Sequence, residues 1–288
     1  MIPGAFEYHR PASVADAVAL MDKLGDEARV LAGGHSLVPM MKLRLATPQY
    51  LVDLGGLPEL KGVRAEGDAV VIGAMTTQHE AILSDLLASK VPILREAALQ
   101  IADPQVRYCG TVGGNVANGD PGNDLPAVMM CLGATYQVRG AKGERRIPAR
   151  DFYEGAYFTA LEPAEIVTAI RIPTPAAGHG YAYEKLKRKI GDYATAAAAV
   201  VLTLSGGRVA SCSIGLTNVA ERPLWAEEAS KLLIGSNLDP TTLKKAVAAA
   251  EAITSPASDN RGPAAYRTKV AGVMLARALA RAHERARA

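Results

Sequence analysis

The sequence predicts an α+β protein of two domains, and three observations lead there. Over the first 177 positions, short apolar runs of strand length alternate with segments of helical periodicity. Pro173-Thr174-Pro175 and Gly178-His179-Gly180 then make the strongest cluster of turn formers in the chain. After it, three strand-like runs are followed by three helical ones, the segregated order of an α+β domain. The expected division is 1–177 and 178–288, with Gly55-Gly56 separating a small βαβ-like unit (1–56) from a larger α/β unit (57–177).

Phe6 to Tyr8 reads as a strand. Ser13 is an N-cap for a helix to Leu24, because Val14, Ala17, Val18, Met21 and Leu24 fall on one stripe. Ala28 to Leu31 is a strand, Leu37 to Arg44 a short helix, and Tyr50 to Leu54 the strand that closes the first unit. The second unit opens with strands at Gly62 to Ala65 and Ala69 to Gly73. A helix started by Thr76 or Thr77 then runs through Ile82, Leu86 and Leu87, and another covers Val91 to Leu99. An apolar segment, Leu125 to Leu132, precedes strands at Ala134 to Val138, Arg145 to Pro148 and Glu165 to Ile172. The C-terminal domain begins as a three-stranded antiparallel sheet: Tyr181 to Leu186, Ala194 to Leu204 and Val209 to Leu216, with Ser205-Gly206-Gly207 as hairpin turn. Alanine favours helix, so the start of the middle run is ambiguous. Helices follow at Trp225 to Leu233, Asp239 to Ile253 and Tyr266 to the C-terminus.

The chain has 288 residues, 49% hydrophobic and 21% charged, with a net charge of +3, which are globular values. The positive residues are dispersed apart from Lys185 to Lys189 and the last helix, so no nucleic-acid reading face is indicated. No apolar run is long enough to span a bilayer and no basic-then-apolar leader opens the chain, which points to a cytoplasmic location. Cys109, Cys131 and Cys212 are isolated from one another. An iron–sulfur cluster needs four thiolates, so none is expected on this chain, and no histidine pair has metal-ligand spacing.

Chemistry concentrates in two loops of similar grammar: Ala32-Gly33-Gly34-His35-Ser36, after the strand ending at Leu31, and Thr111-Val112-Gly113-Gly114-Asn115, after a less clean strand-like run from Arg107. Twin glycines let backbone amides approach a ligand closely, and two such turns suggest a diphosphate gripped from two sides. Taken singly, each is an ordinary turn. No G-x-G-x-x-G or G-x-x-x-x-G-K-[ST] is present, so neither the Rossmann nor the P-loop cradle accounts for them.

Leu31 to Leu37 with Met41-Lys42 and Arg44, Ile101 to Arg107 ahead of the second loop, and Asp120-Pro121-Gly122-Asn123-Asp124-Leu125-Pro126-Ala127 together resemble the FAD-binding subunits of the molybdenum hydroxylase and xanthine dehydrogenase family. Tyr181 to Ala199 is similar to the medium, flavoprotein subunits of its aerobic carbon monoxide dehydrogenase branch, and the likeness runs from Pro3 to Arg285. The resemblance implies a two-subdomain FAD-binding domain of the vanillyl-alcohol-oxidase-like type. It implies an electron-transfer subunit that receives electrons from an iron–sulfur small subunit, while a molybdenum-binding large subunit oxidises carbon monoxide with water to carbon dioxide. A dimer of heterotrimers and a quinone or cytochrome acceptor follow from the same likeness, as does peripheral membrane association at the inner face if the complex is tethered there.

By the same resemblance Ala32 to Ser36 and Thr111 to Asn115 wrap the diphosphate, with Ser36, Thr111 and Asn115 adding side chains. Leu31, Leu37, Ala102, Val106, Gly110, Val112 and Asp192 complete the cofactor set, and Ile166 and Val167 give apolar contacts. Asp124 would bind the ribose of the adenosine half, against a plain role as helix cap. Lys185 would stand at the flavin N1–C2=O edge, against a solvated basic strand. Tyr193 would cover the isoalloxazine, against a half-buried strand tyrosine. His35 is a cofactor contact without acid–base chemistry, and no catalytic residue or metal ligand is expected. Ser258 to Gly262 with Tyr266-Arg267 would cap the last helix and meet a neighbouring subunit. Two other readings stay open: a stand-alone flavin reductase, and a flavin-free scaffold.

Overall fold

In a computed structural model, which describes residues 2–287, the chain begins as a three-stranded parallel sheet. β1 (Glu7–His9) and β2 (Ala28–Leu31) both pair with β3 (Tyr50–Asp53), giving the order β1-β3-β2. Parallel neighbours need crossovers, and α1 (Val14–Leu24) and α2 (Leu37–Lys42) supply them. Ser13 caps α1 as its residue type suggests, accepting from the Asp16 amide at 3.1 Å.

The next unit opens with β4 (Val63–Glu66) and β5 (Ala69–Gly73), followed by six short helices: α3 (Gln78–Leu83), α4 (Asp85–Lys90), α5 (Pro92–Ala98), α6 (Pro104–Cys109), α7 (Val112–Ala117) and α8 (Asp124–Cys131). Thr77 starts α3 with a capping box shared with Glu80. The single helix expected through Leu87 is two helices, because Ser84 sits extended between them and its hydroxyl accepts from the Leu87 amide. β6 (Thr135–Gly140), β7 (Gly143–Pro148), a small hairpin of β8 (Tyr153–Gly155) and β9 (Phe158–Thr159), and β10 (Ile166–Pro173) follow. The five-stranded antiparallel sheet has the order β4-β5-β10-β6-β7.

The third sheet, β11 (Gly180–Leu186), β12 (Ala196–Ser205), β13 (Arg208–Thr217) and β14 (Leu224–Trp225), has four strands rather than the three expected. Leu224 and Trp225 pair with β13, so Trp225 ends a strand instead of opening a helix; Arg150 lies over its ring, 3.5 Å from the centroid. α9 (Glu227–Leu233), α10 (Pro240–Ala252) and α11 (Ala264–Arg287) complete the chain. The hairpin turn is as expected, with Gly206 and Gly207 both at positive φ (57° and 77°), a pairing that suits the twist of the flanking strands.

The alanine run is strand, against its intrinsic preference, because β12 is covered on both faces. Ala196, Ala198 and Val200 pack with α11, while Ala197 and Ala199 join the core beneath α8 that also holds Tyr183. Small side chains let both helices sit close, and glycine completes the approach. A Cβ on Gly180 would fall 1.8 Å from the Ala282 carbonyl oxygen of α11, and one on Gly215 would fall 2.2 Å from the Ala127 oxygen of α8.

Gly180→Ala is therefore expected to destabilise the protein by about 1–3 kcal/mol, as overpacking does. Gly4→Ala, where a methyl meets nothing within 4 Å, leaves the denaturant midpoint unchanged. Equal midpoints for both variants in urea unfolding would refute the close-approach argument.

Candidate functional site

A cleft of about 650 Å³ opens where the β2–α2 turn, α6 and α7, the start of β10 and the β11–β12 loop converge. The first glycine loop forms one wall. Gly34 has a φ of 75°, and a Cβ on Gly33 would fall 2.2 Å from the Cys109 carbonyl oxygen, so both positions demand glycine. Among the described residues, the amides of Gly33, Gly34, His35 and Ser36 donate to no protein acceptor, and the Ser36 hydroxyl makes no capping bond. Successive unspent amides at a cleft suit an anion.

The second glycine segment is built differently. The run before it is α6, capped by Asp103, and Val112–Ala117 is α7 with Thr111 as N-cap. The strand-like reading from Arg107 fails because Pro104 after Asp103 is a helix start. Its amides are spent inside the fold: Val112 on Thr76 O (2.9 Å), Gly113 on Ala74 O (2.8 Å), Gly114 on Thr111 Oγ1 (2.9 Å) and Asn115 on Thr111 O (3.0 Å). Here the glycines serve packing, since a Cβ on Gly113 would lie 2.5 Å from Ala74 Cβ. The two-sided amide grip expected from the sequence thus becomes one row of amides facing the hydroxyl of Thr111 and the amide side chain of Asn115.

Most other expected residues also line the cleft: Leu37 beside the first loop, Ala102, Val106 and Gly110 around α6, and Ile166 and Val167 from β10. Ala102 holds a φ of 42°, rare for a residue with a side chain, and its carbonyl lies directly against Gly191. Leu31 and Val112 are not on the lining; Leu31 packs behind Gly34, and Val112 is core.

Asp124 and Lys185 meet at the floor. Lys185 Nζ donates to Asp124 Oδ2 at 2.8 Å, with the two side chains only 1% and 6% exposed. Lys185 is no solvated strand residue. Nor is Asp124 a helix cap, since Asn123 occupies that position and the second Asp124 oxygen accepts from the Tyr183 hydroxyl at 2.5 Å. The adenosine-ribose contact expected of Asp124 does not fit either, because the residue touches Lys185, which is expected at the opposite end of an extended FAD. Burial pushes the Asp124 carboxyl above the usual carboxylate range, while the Lys185 ammonium and the Tyr183 hydroxyl oppose that rise.

Asp192 is held by Arg188 at 2.8 Å and faces Arg261 at 3.6 Å, which anchors the loop carrying Tyr193. The Tyr193 hydroxyl donates to Asp120 Oδ2 at 3.2 Å, its ring lies against Gly122 with the Arg261 guanidinium 5.7 Å from its centroid, and the residue is 42% exposed. His35 is exposed at the rim. Ser258 accepts from the Ala264 amide and so caps α11 as expected. Arg267 instead is buried, donating to the carbonyls of Thr195, Ala257 and Asn218, so it braces the fold and offers no surface contact.

Sequence reasoning missed Gln78, Tyr157 and Glu165, all on the lining. Gln78 followed a cap and looked like an ordinary first-turn residue; Tyr157 gave no signal, since its φ of 64° is set by the β8–β9 hairpin. Gln78 Oε1 and Asn115 Oδ1 are sealed and unpartnered among the described residues. Unspent amides, orphaned amide groups and a largely apolar wall fit an extended dinucleotide such as FAD.

Residues 4–175 match the family described as FAD binding domain in molybdopterin dehydrogenase, and residues 181–282 the family described as CO dehydrogenase flavoprotein C-terminal domain. The chain is 69% identical over 287 residues to the carbon monoxide dehydrogenase medium chain of Afipia carboxidovorans, covering 100% of both. It is 50% identical over 279 residues to the medium chain of that name from Hydrogenophaga pseudoflava, covering 97% of each. A chain in the crystal structure of cyanide-inactivated Cu,Mo-CO dehydrogenase superposes with a TM-score of 0.98 at 69% identity, over 99% of this chain and 100% of that one.

Lys185→Met should reveal the ion pair through pH. A carboxyl whose folded pKa lies above its unfolded value contributes stability that is full below the unfolded value and lost as pH rises through the folded one. Removing the ammonium raises Asp124 further, so the variant's deficit is expected to be small at about pH 4 and to grow to about 3–5 kcal/mol at about pH 8. Asp124→Asn in the same chain recovers most of it. Denaturant unfolding across pH reads this directly, and a pH-independent deficit would contradict it.

Proposed function

The chain belongs to the FAD-binding molybdopterin dehydrogenase family, with a C-terminal domain of the CO dehydrogenase flavoprotein type, and from that premise we propose that it is the FAD-carrying medium subunit of an aerobic carbon monoxide dehydrogenase. The single observation that carries the reading is the row of unspent amides from Gly33 to Ser36 at the mouth of a dinucleotide-sized cleft. Those amides hold the diphosphate, with Ser36, Thr111 and Asn115 adding side chains. Leu37, Ala102, Val106, Gly110, Ile166 and Val167 pack along the cofactor. Leu31 and Val112 act from behind by fixing the two glycine segments.

Bound FAD accepts electrons one at a time and passes them on singly or in pairs, which suits a junction between an iron–sulfur donor and an external acceptor. The chain's own part is to bind, orient and shield. Lys185, anchored by Asp124, would supply a fixed ammonium to the flavin, and Tyr193, tethered to Asp120, would shield it. The three cysteines are dispersed, so iron–sulfur clusters and the molybdenum cofactor sit on a small and a large partner subunit in a dimer of heterotrimers. The division at 177/178 into FAD-binding and C-terminal domains is part of the same reading. No helix among the described residues is long and apolar enough to cross a membrane. We place the complex in the cytoplasm, with any membrane contact peripheral at the inner face.

The test is reconstitution. The parent subunit, assembled with its partners, is expected to bind one FAD whose yellow absorbance bleaches under carbon monoxide, while NADH leaves the chain alone unreduced. Gly33→Ala should raise the FAD dissociation constant by about tenfold or more, a loss of roughly 1.4 kcal/mol, without altering far-UV circular dichroism. Unchanged FAD affinity in that variant would remove the first loop from the site.

A further inference from the structure

Tyr183 and Lys185 are two apart on β11 and so point to the same face, toward α8, while Ala182 and Glu184 face α11. β11 is the edge of its sheet, and α5 with the residues just after it occupies that edge. The Tyr183 amide donates to Glu96 Oε1 at 2.7 Å, Gln100 Nε2 donates to the Tyr183 carbonyl at 3.2 Å, and Lys185 Nζ reaches the Gln100 carbonyl at 3.4 Å. The position of Tyr183 is thus fixed from backbone and side chain alike. Yet Tyr183 is fully buried and is not on the cleft lining.

Its one polar side-chain atom, the hydroxyl, goes to Asp124. That carboxylate is therefore divided: Oδ1 takes the Tyr183 hydroxyl at 2.5 Å and Oδ2 takes the Lys185 ammonium at 2.8 Å. A sealed, fully matched ion pair presents little charge to a ligand. A hydroxyl that draws carboxylate charge toward Oδ1 leaves the ammonium less compensated, and hydrogen bonds to charged groups are the strong ones in a dry site. An ammonium has three N–H groups, of which Asp124 and Gln100 take two, and Lys185 is on the cleft lining.

We propose that Tyr183 is a positioning residue for electron transfer: by sharing the Asp124 carboxylate, it sets how much of the Lys185 positive charge the flavin feels, and through that the flavin's reduction potential. The inference rests on FAD occupying this cleft. Reduction adds negative charge to the ring, so a less compensated ammonium raises the potential.

The experiment measures the flavin potential spectroelectrochemically in the assembled complex, together with FAD content and thermal midpoint. Tyr183→Phe is expected to lower the potential, cutting the reduced-to-oxidised ratio at a fixed applied potential by about tenfold, the size of one charge-assisted hydrogen bond. Asp124→Asn, which frees the ammonium, is expected to raise it. The Tyr183→Phe and Asp124→Asn double variant should match Asp124→Asn alone, because the hydroxyl acts only through the carboxylate. Fluorotyrosine at position 183, a stronger donor of nearly the same size, should raise the potential and covers the case in which phenylalanine fails to fold. A Tyr183→Phe complex loaded with FAD and unmoved in potential, or shifted equally with and without the Asp124 carboxylate, overturns the inference while leaving the FAD reading intact. A parent complex without flavin at this cleft overturns both.

Discussion

The buried contact between Asp124 and Lys185 is the point on which the molecule turns. Asp124 opens α8, the helix that packs under the C-terminal sheet, and Lys185 stands near the end of the edge strand of that sheet. Joining them closes the cleft floor and ties the first 177 residues to the remainder. The cost of such a pair is several kcal/mol of lost hydration per ion, and a hydrophobic pair of the same volume is often as stable. Here the geometry offsets the cost, because both carboxylate oxygens and two of the ammonium's donors are satisfied. Because apolar packing of the same volume is often as stable, the pair is not explained by stability alone, and the proposed role toward the flavin gives the buried charge a use.

The glycines divide the remaining work. At Gly33 and Gly34 the missing side chain exposes amides and permits a turn that other residues resist. At Gly113, Gly180 and Gly215 it lets one backbone lie directly on another. The two uses look alike in a sequence, as the twin glycines of Gly33-Gly34 and Gly113-Gly114 show. What separates them is where the amide hydrogens go, and that depends on Thr76 O and Ala74 O, acceptors nearly forty residues upstream of α7.

This marks the limit of what was legible. Elements whose signals are local were read correctly: the Ser13 cap, β2, the first glycine turn, β5 and the Gly206-Gly207 hairpin each carry their cause within a few residues. The fourth strand was missed because Leu224-Trp225 is a strand only by pairing with β13 under Arg150. The alanine run stayed ambiguous because helix propensity pulls one way and burial on both faces the other, and burial wins. Of the site, the amide row was visible as a pattern, whereas Gln78 and Tyr157 enter only through tertiary placement.

The basic run from Lys185 to Lys189 shows how position reassigns identical chemistry. Strand alternation turns Lys185 inward, where Asp124 receives it. Two residues on, burial and the neighbouring Lys185 lower the Lys187 ammonium below its usual range. Past the end of the strand, alternation no longer applies, and Arg188 is free to curl back on Asp192 and pin the loop that presents Tyr193. A stretch that reads as one solvated patch is three devices in sequence: a buried charge paired at the cleft, a half-buried neighbour that feels it, and a clamp on the loop that carries Tyr193. The net positive charge near the cleft is consequently set by pairing geometry and not by the number of basic residues, and the role proposed for the Tyr183 hydroxyl rests on that pairing.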